Sequence, residues 1–293
     1  MQDYPAGTLY IVATPIGNLA DISLRALHVL QLVDVIACED TRHTQALLRA
    51  YGMERPASQL MALHQHNEAQ ASNDVLALLS AGQRVAYMSD AGTPAVSDPG
   101  ARLVQAAAAA GVRVSPIPGA SSVTTALSVA GVVGDHGQDS SFVFAGFLSS
   151  KASERTAEVT QLAMESRAVV LLEAPHRIEA LAQSLGVLGD RALTVGRELT
   201  KQFETIATLP ANHFSDWLAA DANRIRGEFA LVLHPVANSS VEDPLHAEGL
   251  RVLRLLLPEL PLKTAVKLAA DISGGSRNQL YDAALALKNH GAE

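Results

Sequence analysis

The first 115 residues alternate short runs rich in Val, Ile and Leu with longer segments whose apolar residues recur at helical spacing. This alternation is typical of βαβ units, because two parallel strands need a helical crossover to connect them. It predicts an α/β domain over residues 1–117, whose last helix has Asp98 as N-cap, Pro99 in its first turn and Gly111 as C-terminal cap. The predicted strands are 8–13, 34–38, 59–63, 84–88 and 112–116, and the predicted helices are 23–32, 41–50, 67–81 and 98–110.

A second α/β domain is predicted over residues 118–237. Two of its β-rich runs are close enough in sequence to pair as an antiparallel hairpin, so we expect a mixed sheet. The boundary between the domains is either the polar stretch 134–140 or a point before the helix that begins near Ala120. The predicted strands are 142–145, 168–173, 192–196, 202–208 and 229–234, and the predicted helices are 152–165, 177–185 and 212–220.

The composition changes after Ala237, where a polar stretch that ends near Pro244 reads as a linker to a small helical unit at 245–293. Helices are expected at 250–257, 262–272 and 276–287, and the short Ser-Gly-Gly connection between the last two is compatible with a helix-turn-helix. Six Lys and Arg stand against three Asp and Glu between residues 250 and 290. This local excess is expected of a surface that contacts phosphates, although a solvated helical cap would also have it.

The whole chain has 22 Lys and Arg against 30 Asp and Glu, a net charge of −8, which argues against binding naked nucleic acid through bulk charge. Only 4% of its residues are aromatic, which disfavours recognition by base stacking alone. The lone Cys38 lies in an apolar run and is expected to be buried. Because we find neither a secretory signal nor an apolar run near the roughly 18 residues that span a bilayer, we expect a cytoplasmic protein with no membrane contact.

The common site motifs are missing from the sequence: we find no P-loop, G-x-G-x-x-G, H-E-x-x-H, C-x-x-C or G-x-S-x-G. This disfavours a nucleotide hydrolase, a standard dinucleotide oxidoreductase, a zinc peptidase and an α/β-hydrolase. His64 and His66 are two residues apart with no nearby Cys, so we expect no metal site there or elsewhere.

Three loops of small residues follow predicted strands, where open α/β sheets bind ligands. They are the first loop at 14–19, the second loop at 89–94 and the third loop at 118–122. Each alone is compatible with an ordinary turn, but three at equivalent strand ends favour a binding site. None contains Lys or Arg, and Asp90 would repel a phosphate, so a neutral nucleoside or a cationic ligand such as S-adenosylmethionine fits best.

Several strings in these segments resemble the tetrapyrrole methylase superfamily, and within it the branch that methylates ribosomal RNA. The resemblance covers about residues 7 to 290. The strings are TPIGNLADI at 14–22, EDTR at 39–42, SDAGTP at 89–94, SDPG at 97–100 and EAPHR at 173–177.

The resemblance implies two α/β domains with S-adenosylmethionine in the cleft between them, and a homodimer. It also implies 2′-O-methylation of a decoding-centre cytidine in the 16S rRNA of the assembled small ribosomal subunit. The tetrapyrrole enzymes often have a Gly-rich first loop, which this chain lacks, so the RNA branch is favoured. Two alternatives stay open: a related methyltransferase acting on a tetrapyrrole or a modified protein side chain, and a non-catalytic ribosome-binding protein.

The cofactor contacts carried over from the family come from the three loops and from the second domain. They fall on Pro15, Asp90, Gly92, Thr93, Ser121, Ser122, Leu172, Glu173, Leu199 and Ala230.

Methyl transfer to a ribose hydroxyl needs help in removing a weakly acidic proton. Asp40 and Glu39 end the second strand on the ligand-binding edge and are candidates for this base or for a group that orients the hydroxyl, although Asp40 is equally placed to cap the helix beginning at Thr41. Basic residues from the motifs and the tail are candidate RNA contacts, namely Arg42, Arg177, Arg197, Lys201, Lys263, Lys267 and Arg277. For Arg177 the alternative is an ion pair with Glu173, and for Arg197 and Lys201 it is likewise a structural salt bridge.

Overall fold

The structure is a computed structural model that describes residues 3–64, 66–97, 99–133, 141–236 and 244–290. It forms two compact units, Met1–Val236 and Ala237–Glu293, and both α/β sheets lie in the first. The predicted cap Asp98, the polar stretch 134–140 and the linker up to residue 243 lie outside the described residues.

The first sheet is entirely parallel, with the strand order β3-β2-β4-β1-β5. A helix follows each of the first four strands, so the predicted βαβ pattern is confirmed. The elements are β1 (Thr8–Val12), α1 (Leu24–Leu32), β2 (Val35–Cys38), α2 (Thr41–Ala50), β3 (Leu60–Ala62), α3 (Glu68–Ser80), β4 (Val85–Met88), α4 (Ala101–Ala109) and β5 (Arg113–Ile117).

Both faces of this sheet are covered, which explains why its inner strands lack polar alternation. In β4, Ala86 and Met88 pack with α1 and α2, whereas Val85 and Tyr87 pack with α3 and α4. Cys38 is fully buried in the first of these layers, and burial raises the pKa of its thiol to about 11. Cys38 is therefore a core residue, as predicted.

The second sheet is mixed, as predicted, with the order β6-β7-β10-β8-β9. Its β6 and β7 are parallel, whereas β10 runs antiparallel to both β7 and β8. Helices α6, α7 and α8 cover one face, and α5 packs on the other. The elements are α5 (Ser122–Ala130), β6 (Phe142–Gly146), α6 (Ala152–Ala163), β7 (Ala168–Glu173), α7 (Ile178–Leu185), β8 (Ala192–Arg197), β9 (Thr205–Pro210), α8 (Phe214–Ala219) and β10 (Phe229–Leu233).

The start of α4 differs from the prediction, because the helix begins at Ala101 and Pro99 lies before it. Gly100 is the N-cap, with a left-handed φ of 113°, and its N–H donates to Glu68 Oε1 at 3.0 Å. A Cβ on Gly100 would lie 2.2 Å from Cε1 of the Tyr87 ring, so a glycine is required here. Gly111 has a φ of 69° just after the helix, as expected of a C-terminal cap residue.

Strand β9 begins at Thr205, three residues later than predicted. Consecutive turns occupy the preceding segment: Lys201 N–H donates to the Glu198 carbonyl at 3.0 Å, and Glu204 N–H donates to the Lys201 carbonyl at 3.1 Å. Backbone groups committed to these turns cannot pair with β8, so the hairpin starts after them.

The second unit consists of three helices, α9 (Pro244–Leu256), α10 (Leu262–Ser273) and α11 (Arg277–His290). The first begins six residues earlier than predicted, because Pro244 starts the helix rather than ending a linker. A proline fits the first turn, since backbone N–H groups there have no intrahelical acceptor and its missing N–H costs no hydrogen bond. Leu253, Ala265, Ala269 and Leu280 form its buried centre. Within the described ranges, no helix of the chain has the length and apolar character needed to cross a membrane.

Candidate functional site

The first, second and third loops form one connected wall at the carboxyl edge of the first sheet. They follow β1, β4 and β5, which are neighbours in that sheet. Thr14 and Gly92 exchange two backbone hydrogen bonds, with N···O distances of 2.9 and 3.1 Å. The Thr93 hydroxyl donates to the Ala120 carbonyl at 3.1 Å. The second loop is therefore hydrogen-bonded to both the first loop and the segment that contains the third.

A cleft of about 330 Å³ lies between this wall and the second sheet. Because β10 is antiparallel to β7 and β8, its first residues lie beside their last ones and reach the same cleft. Eight of the ten predicted cofactor contacts line it: Gly92, Thr93, Ser121, Ser122, Leu172, Glu173, Leu199 and Ala230.

The other two predicted contacts, Pro15 and Asp90, lie behind the lining. Pro15 is buried, and the next residue, Ile16, lines the cleft instead. Asp90 Oδ1 accepts a hydrogen bond from the backbone N–H of Asp40 at 3.2 Å. Asp90 thus joins the second loop to the end of β2, while its neighbour Ala91 faces the cavity.

Sequence reasoning missed several lining residues, among them Val96, Phe144, Phe147 and Glu228. Phe144 and Phe147 lie at the carboxyl end of β6, so the strand-end rule used for the loops would have found them. Glu228 precedes an antiparallel strand, and no rule for parallel sheets points to such a position.

Strained backbone borders the cleft. Among the described non-glycine residues, only Ala95, Glu198 and Thr200 have positive φ angles, of 66°, 51° and 66°. Ala95 precedes the lining residue Val96, and the other two flank Leu199, which also lines the cleft. Such conformations persist where surrounding contacts over-determine them, and they concentrate at ligand sites.

Glu173 and Arg177 hold the segment after β7 in place. The Glu173 side chain is 1% exposed, and its Oε1 lies 3.1 Å from Arg177 Nε and accepts from Ala174 N–H at 2.9 Å. Arg177 also donates to the Leu148 carbonyl. The Arg177 guanidinium therefore stabilises the segment after β7, and it is not a free group available for a phosphate. Glu173 Oε2 is buried with no hydrogen-bond partner within the described structure.

Arg197 is likewise directed inward, which weakens its case as an RNA contact, and that contact stays a prediction. The residue is 8% exposed, and its guanidinium donates to the carbonyls of Arg226 and Phe203 at 2.7 and 3.1 Å. It joins the loop of the β8–β9 hairpin to the segment before β10.

Lys201 lines the cleft with its ammonium between two carboxylates. Nζ lies 2.9 Å from Glu198 Oε1 and 3.0 Å from Glu228 Oε2. Burial lowers the pKa of Lys201, but hydrogen bonds to these two glutamates outweigh it and leave the pKa above its ordinary value. The lysine is therefore charged and already neutralised, which weakens its case as a phosphate contact.

Asp40 has the geometry of a helix cap. Its Oδ1 accepts from Arg42 N–H at 2.8 Å and from His43 N–H at 3.5 Å, and its Oδ2 pairs with Arg42 Nη2 at 2.9 Å. These bonds, chiefly that from the Arg42 side chain, lower the pKa of Asp40 to about 2. A carboxylate so strongly stabilised in its charged form is a poor proton acceptor at neutral pH. Of the two predicted roles, the structure therefore favours the cap.

The neighbours of Asp40 also lie outside the cleft lining. The Arg42 side chain is 90% exposed and bonded to Asp40, and Glu39 is half-buried directly after β2. A role for Glu39 in orienting the hydroxyl stays a prediction.

The helical unit presents a different arrangement of charge. Lys263 and Lys267 are exposed one turn apart on α10, and neither forms an ion pair with any residue in the described ranges. Arg277 is paired with Asp271 at 2.9 Å. Two of the three predicted tail contacts are therefore free to bind an external anion.

The cleft suits a nucleoside carrying positive charge better than a polyphosphate. Ser121 and Ser122, the second-loop residues Ala91, Gly92 and Thr93, and the apolar Phe144 are among the residues that line it. Among the described lining residues, Lys201 is matched by two glutamates, and the buried Oε2 of Glu173 has no hydrogen-bond partner there. S-adenosylmethionine, with its adenosine and sulfonium, fits this set of groups. Across the described residues, no three His, Cys, Asp or Glu side chains converge as a metal site.

The chain has two α/β sheets with a cleft between their strand ends, and its sequence shows to which class of protein this arrangement belongs. Residues 8–214 match the family of Tetrapyrrole (Corrin/Porphyrin) Methylases, so the chain belongs to that family. Residues 243–288 match a second family, the RsmI C-terminal HTH domain.

Comparison with individual proteins gives a narrower likeness. The chain is 47% identical over 282 residues to ribosomal RNA small subunit methyltransferase I of Pseudomonas aeruginosa, covering 96% of this chain and 97% of the relative. Among solved structures, a cobalt precorrin-4 methyltransferase is similar with a TM-score of 0.58 at 18% identity, covering 78% of this chain and 95% of that one. A uroporphyrin-III C-methyltransferase of Thermus thermophilus, complexed with S-adenosylhomocysteine, gives 0.51 at 16% identity, covering 77% and 96%. At these identities the solved structures support the fold alone.

Proposed function

We propose that the chain transfers a methyl group from S-adenosylmethionine to the ribose 2′-hydroxyl of a cytidine in the 16S rRNA of the small ribosomal subunit. The observation that carries the proposal is the similarity to a ribosomal RNA small subunit methyltransferase I, which is 47% identical over nearly the full length of the chain. The similarity includes the helical tail, which matches a family model of its own. Ribosomal RNA carries many phosphates, and Lys263 and Lys267 of the helical unit, which have no ion pair within the described residues, suit such a substrate.

The cofactor supplies an electrophilic methyl and a neutral thioether leaving group. The chain's part is to hold the reacting groups in line and to exclude water from the cleft. The connected loops form one fixed wall, and β7, β8 and β10 form the other. Carboxylates at the second wall favour the cationic cofactor over the uncharged product sulfur.

We also propose that the protein works in the cytoplasm as a homodimer on the assembled subunit. Val129 in α5 and Phe142 at the start of β6 are 41% and 46% exposed. Exposed apolar side chains of this kind are suited to burial against a second copy. Light scattering coupled to gel filtration tests this, and a monomer at micromolar concentration would contradict it.

The activity is tested with radiolabelled S-adenosylmethionine and small subunits from cells lacking the modification. We expect label in 16S rRNA, at a single nucleotide that resists alkaline cleavage because its 2′-oxygen is methylated. Naked 16S rRNA and a porphyrinoid serve as competing substrates. Label only in the porphyrinoid or in protein would overturn the proposal, and cofactor binding without transfer to any of them would indicate a non-catalytic ribosome-binding protein.

A further inference from the structure

Gly17 of the first loop and Lys201 of the second sheet approach each other unusually closely. An ideal Cβ on Gly17 would lie 2.3 Å from Lys201 Cγ and 2.9 Å from its Cε. The φ angle of Gly17 is outside the positive range that only glycine adopts readily, so what excludes a side chain here is space. The methylene stem of Lys201 occupies the place of that missing side chain.

The Lys201 stem is anchored at both ends and cannot swing away freely. Its ammonium is held by Glu198 and Glu228, as described above. Its backbone belongs to the strained turn in which Glu198 and Thr200 have positive φ angles. Glu198 is fixed in turn, because its N–H donates to the Glu228 carbonyl and its Oε1 accepts from Glu228 N–H, both at 2.9 Å.

The neighbouring residue of the first loop reinforces this contact. Ile16 packs into the apolar layer that contains Leu199 and Ala230 of the second sheet. Ile16, Leu199, Ala230 and Lys201 all line the cleft. The first loop thus packs against the second sheet at the edge of the cavity, and the Lys201 stem lies against Gly17 of that loop.

We infer that Lys201 is a positioning residue, which sets the spacing of the two cleft walls by holding the first loop through Gly17. This inference rests on the proposed function, because it assumes that S-adenosylmethionine occupies the cleft. This positioning role takes the place of the phosphate contact predicted for Lys201. An ammonium that is paired with two carboxylates is already neutralised and attracts an external anion only weakly.

A double-mutant cycle on Gly17→Ala and Lys201→Ala tests the inference, with the S-adenosylmethionine dissociation constant measured by calorimetry. We expect each single variant to weaken binding by on the order of tenfold, since small misplacements of a binding wall are costly. In the Lys201→Ala background, Gly17→Ala should cost less than about twofold, because the stem it would displace is gone. Lys201→Ala and the double variant both lack the ion pairs with Glu198 and Glu228, so the effect of losing them cancels when the two are compared.

Gly186→Ala is the matched control, since a Cβ there meets no atom within 4 Å. It should leave cofactor affinity unchanged. If Lys201→Ala does not fold, Lys201→Ser provides the same cycle, because a serine side chain ends at an Oγ that can rotate away from residue 17. Equal losses from Gly17→Ala in both backgrounds, or no loss from either single variant, would overturn the inference.

The salt dependence of small-subunit binding separates positioning from phosphate contact. Lys201→Ala should lower cofactor affinity and kcat while leaving the slope of log affinity against log salt as it is. A slope reduced by about 1 would show a phosphate contact and overturn the inference. Calorimetry needs only protein and cofactor, so the cycle can be interpreted even if the wild-type chain does not methylate small subunits. Such a failure would count against the proposed function and not against the positioning role of Lys201.

Discussion

Three cations of the α/β body and two lysines of the helical unit have opposite environments. In the body, Arg177, Arg197 and Lys201 are all bonded to carboxylates or backbone carbonyls of the same chain. In the helical unit, Lys263 and Lys267 are exposed without an ion pair in the part of the chain that the structure describes. The same residue types thus fix loops in one region and are available for binding in the other.

The difference follows from where each cation lies. Glu173 is buried at the end of β7, and a buried carboxylate needs a partner because its desolvation is otherwise uncompensated. The lysines of α10 lie on the polar face of a helix whose other face buries Ala265 and Ala269. Among the described residues of the helical unit, no buried carboxylate requires them.

The largest expected effect comes from breaking a body pair. Arg177→Ala leaves Glu173 buried without its cation, and we expect the free energy of unfolding to fall by about 2–4 kcal/mol. Urea unfolding followed by circular dichroism measures this. Lys151→Ala removes an exposed pair with Glu154 and should cause no measurable change. Equal stability of the two variants would show that the body pairs are not structural.

The next effect concerns the free lysines of α10. Lys263→Ala combined with Lys267→Ala should weaken small-subunit binding and reduce its salt slope by about 1.5, since each lost phosphate contact removes roughly 0.7–0.9. Cofactor affinity should not change. Arg277→Ala is the matched variant, because Asp271 already neutralises that arginine. A larger loss from Arg277→Ala than from the lysine pair would reverse the comparison.

The fold was predictable to a large extent because strand and helix periods are local signals. The edges of β7 and α2 were predicted to the residue, and the mixed second sheet followed from the closeness of two β-rich runs. The errors occur where tertiary contacts decide: Glu68 holds Gly100 outside α4, and the turns after Glu198 delay β9. Neither contact leaves a trace in local periodicity.

The candidate site was predictable for its backbone and less so for its charges. Small-residue loops after parallel strands identify one cleft wall, and the family resemblance supplied the other. Pairing is a property of three-dimensional neighbours, so the sequence could not tell that Arg197 is buried or that Lys201 sits between two glutamates. The same limit applies to Asp40, for which cap and base look identical in sequence.

A smaller effect is expected from Asp40→Asn, which tests whether the carboxylate near the cleft edge is structural like the body cations. Asparagine caps helices about as well as aspartate, so kcat should stay within about threefold of wild type. A general base would lose on the order of 100-fold or more. Glu39→Gln is the paired variant, and a loss confined to it would assign the hydroxyl-orienting role to Glu39.

The smallest effect is the pH dependence that Asp40 contributes to stability. Its pKa falls from an ordinary 3.8 to about 2 in the folded chain, first because the Arg42 side chain bonds to it and then because backbone N–H groups do. A depressed pKa means that the folded state favours the charged form, so the contribution is complete above pH 4 and is lost as pH falls through about 2. Wild type should therefore lose slightly more stability than Asp40→Asn between pH 6 and pH 2, seen as converging urea midpoints. Parallel curves would mean that the Asp40 to Arg42 pair does not hold in solution, and the contrast between paired body cations and free tail cations would then rest on the buried pairs alone.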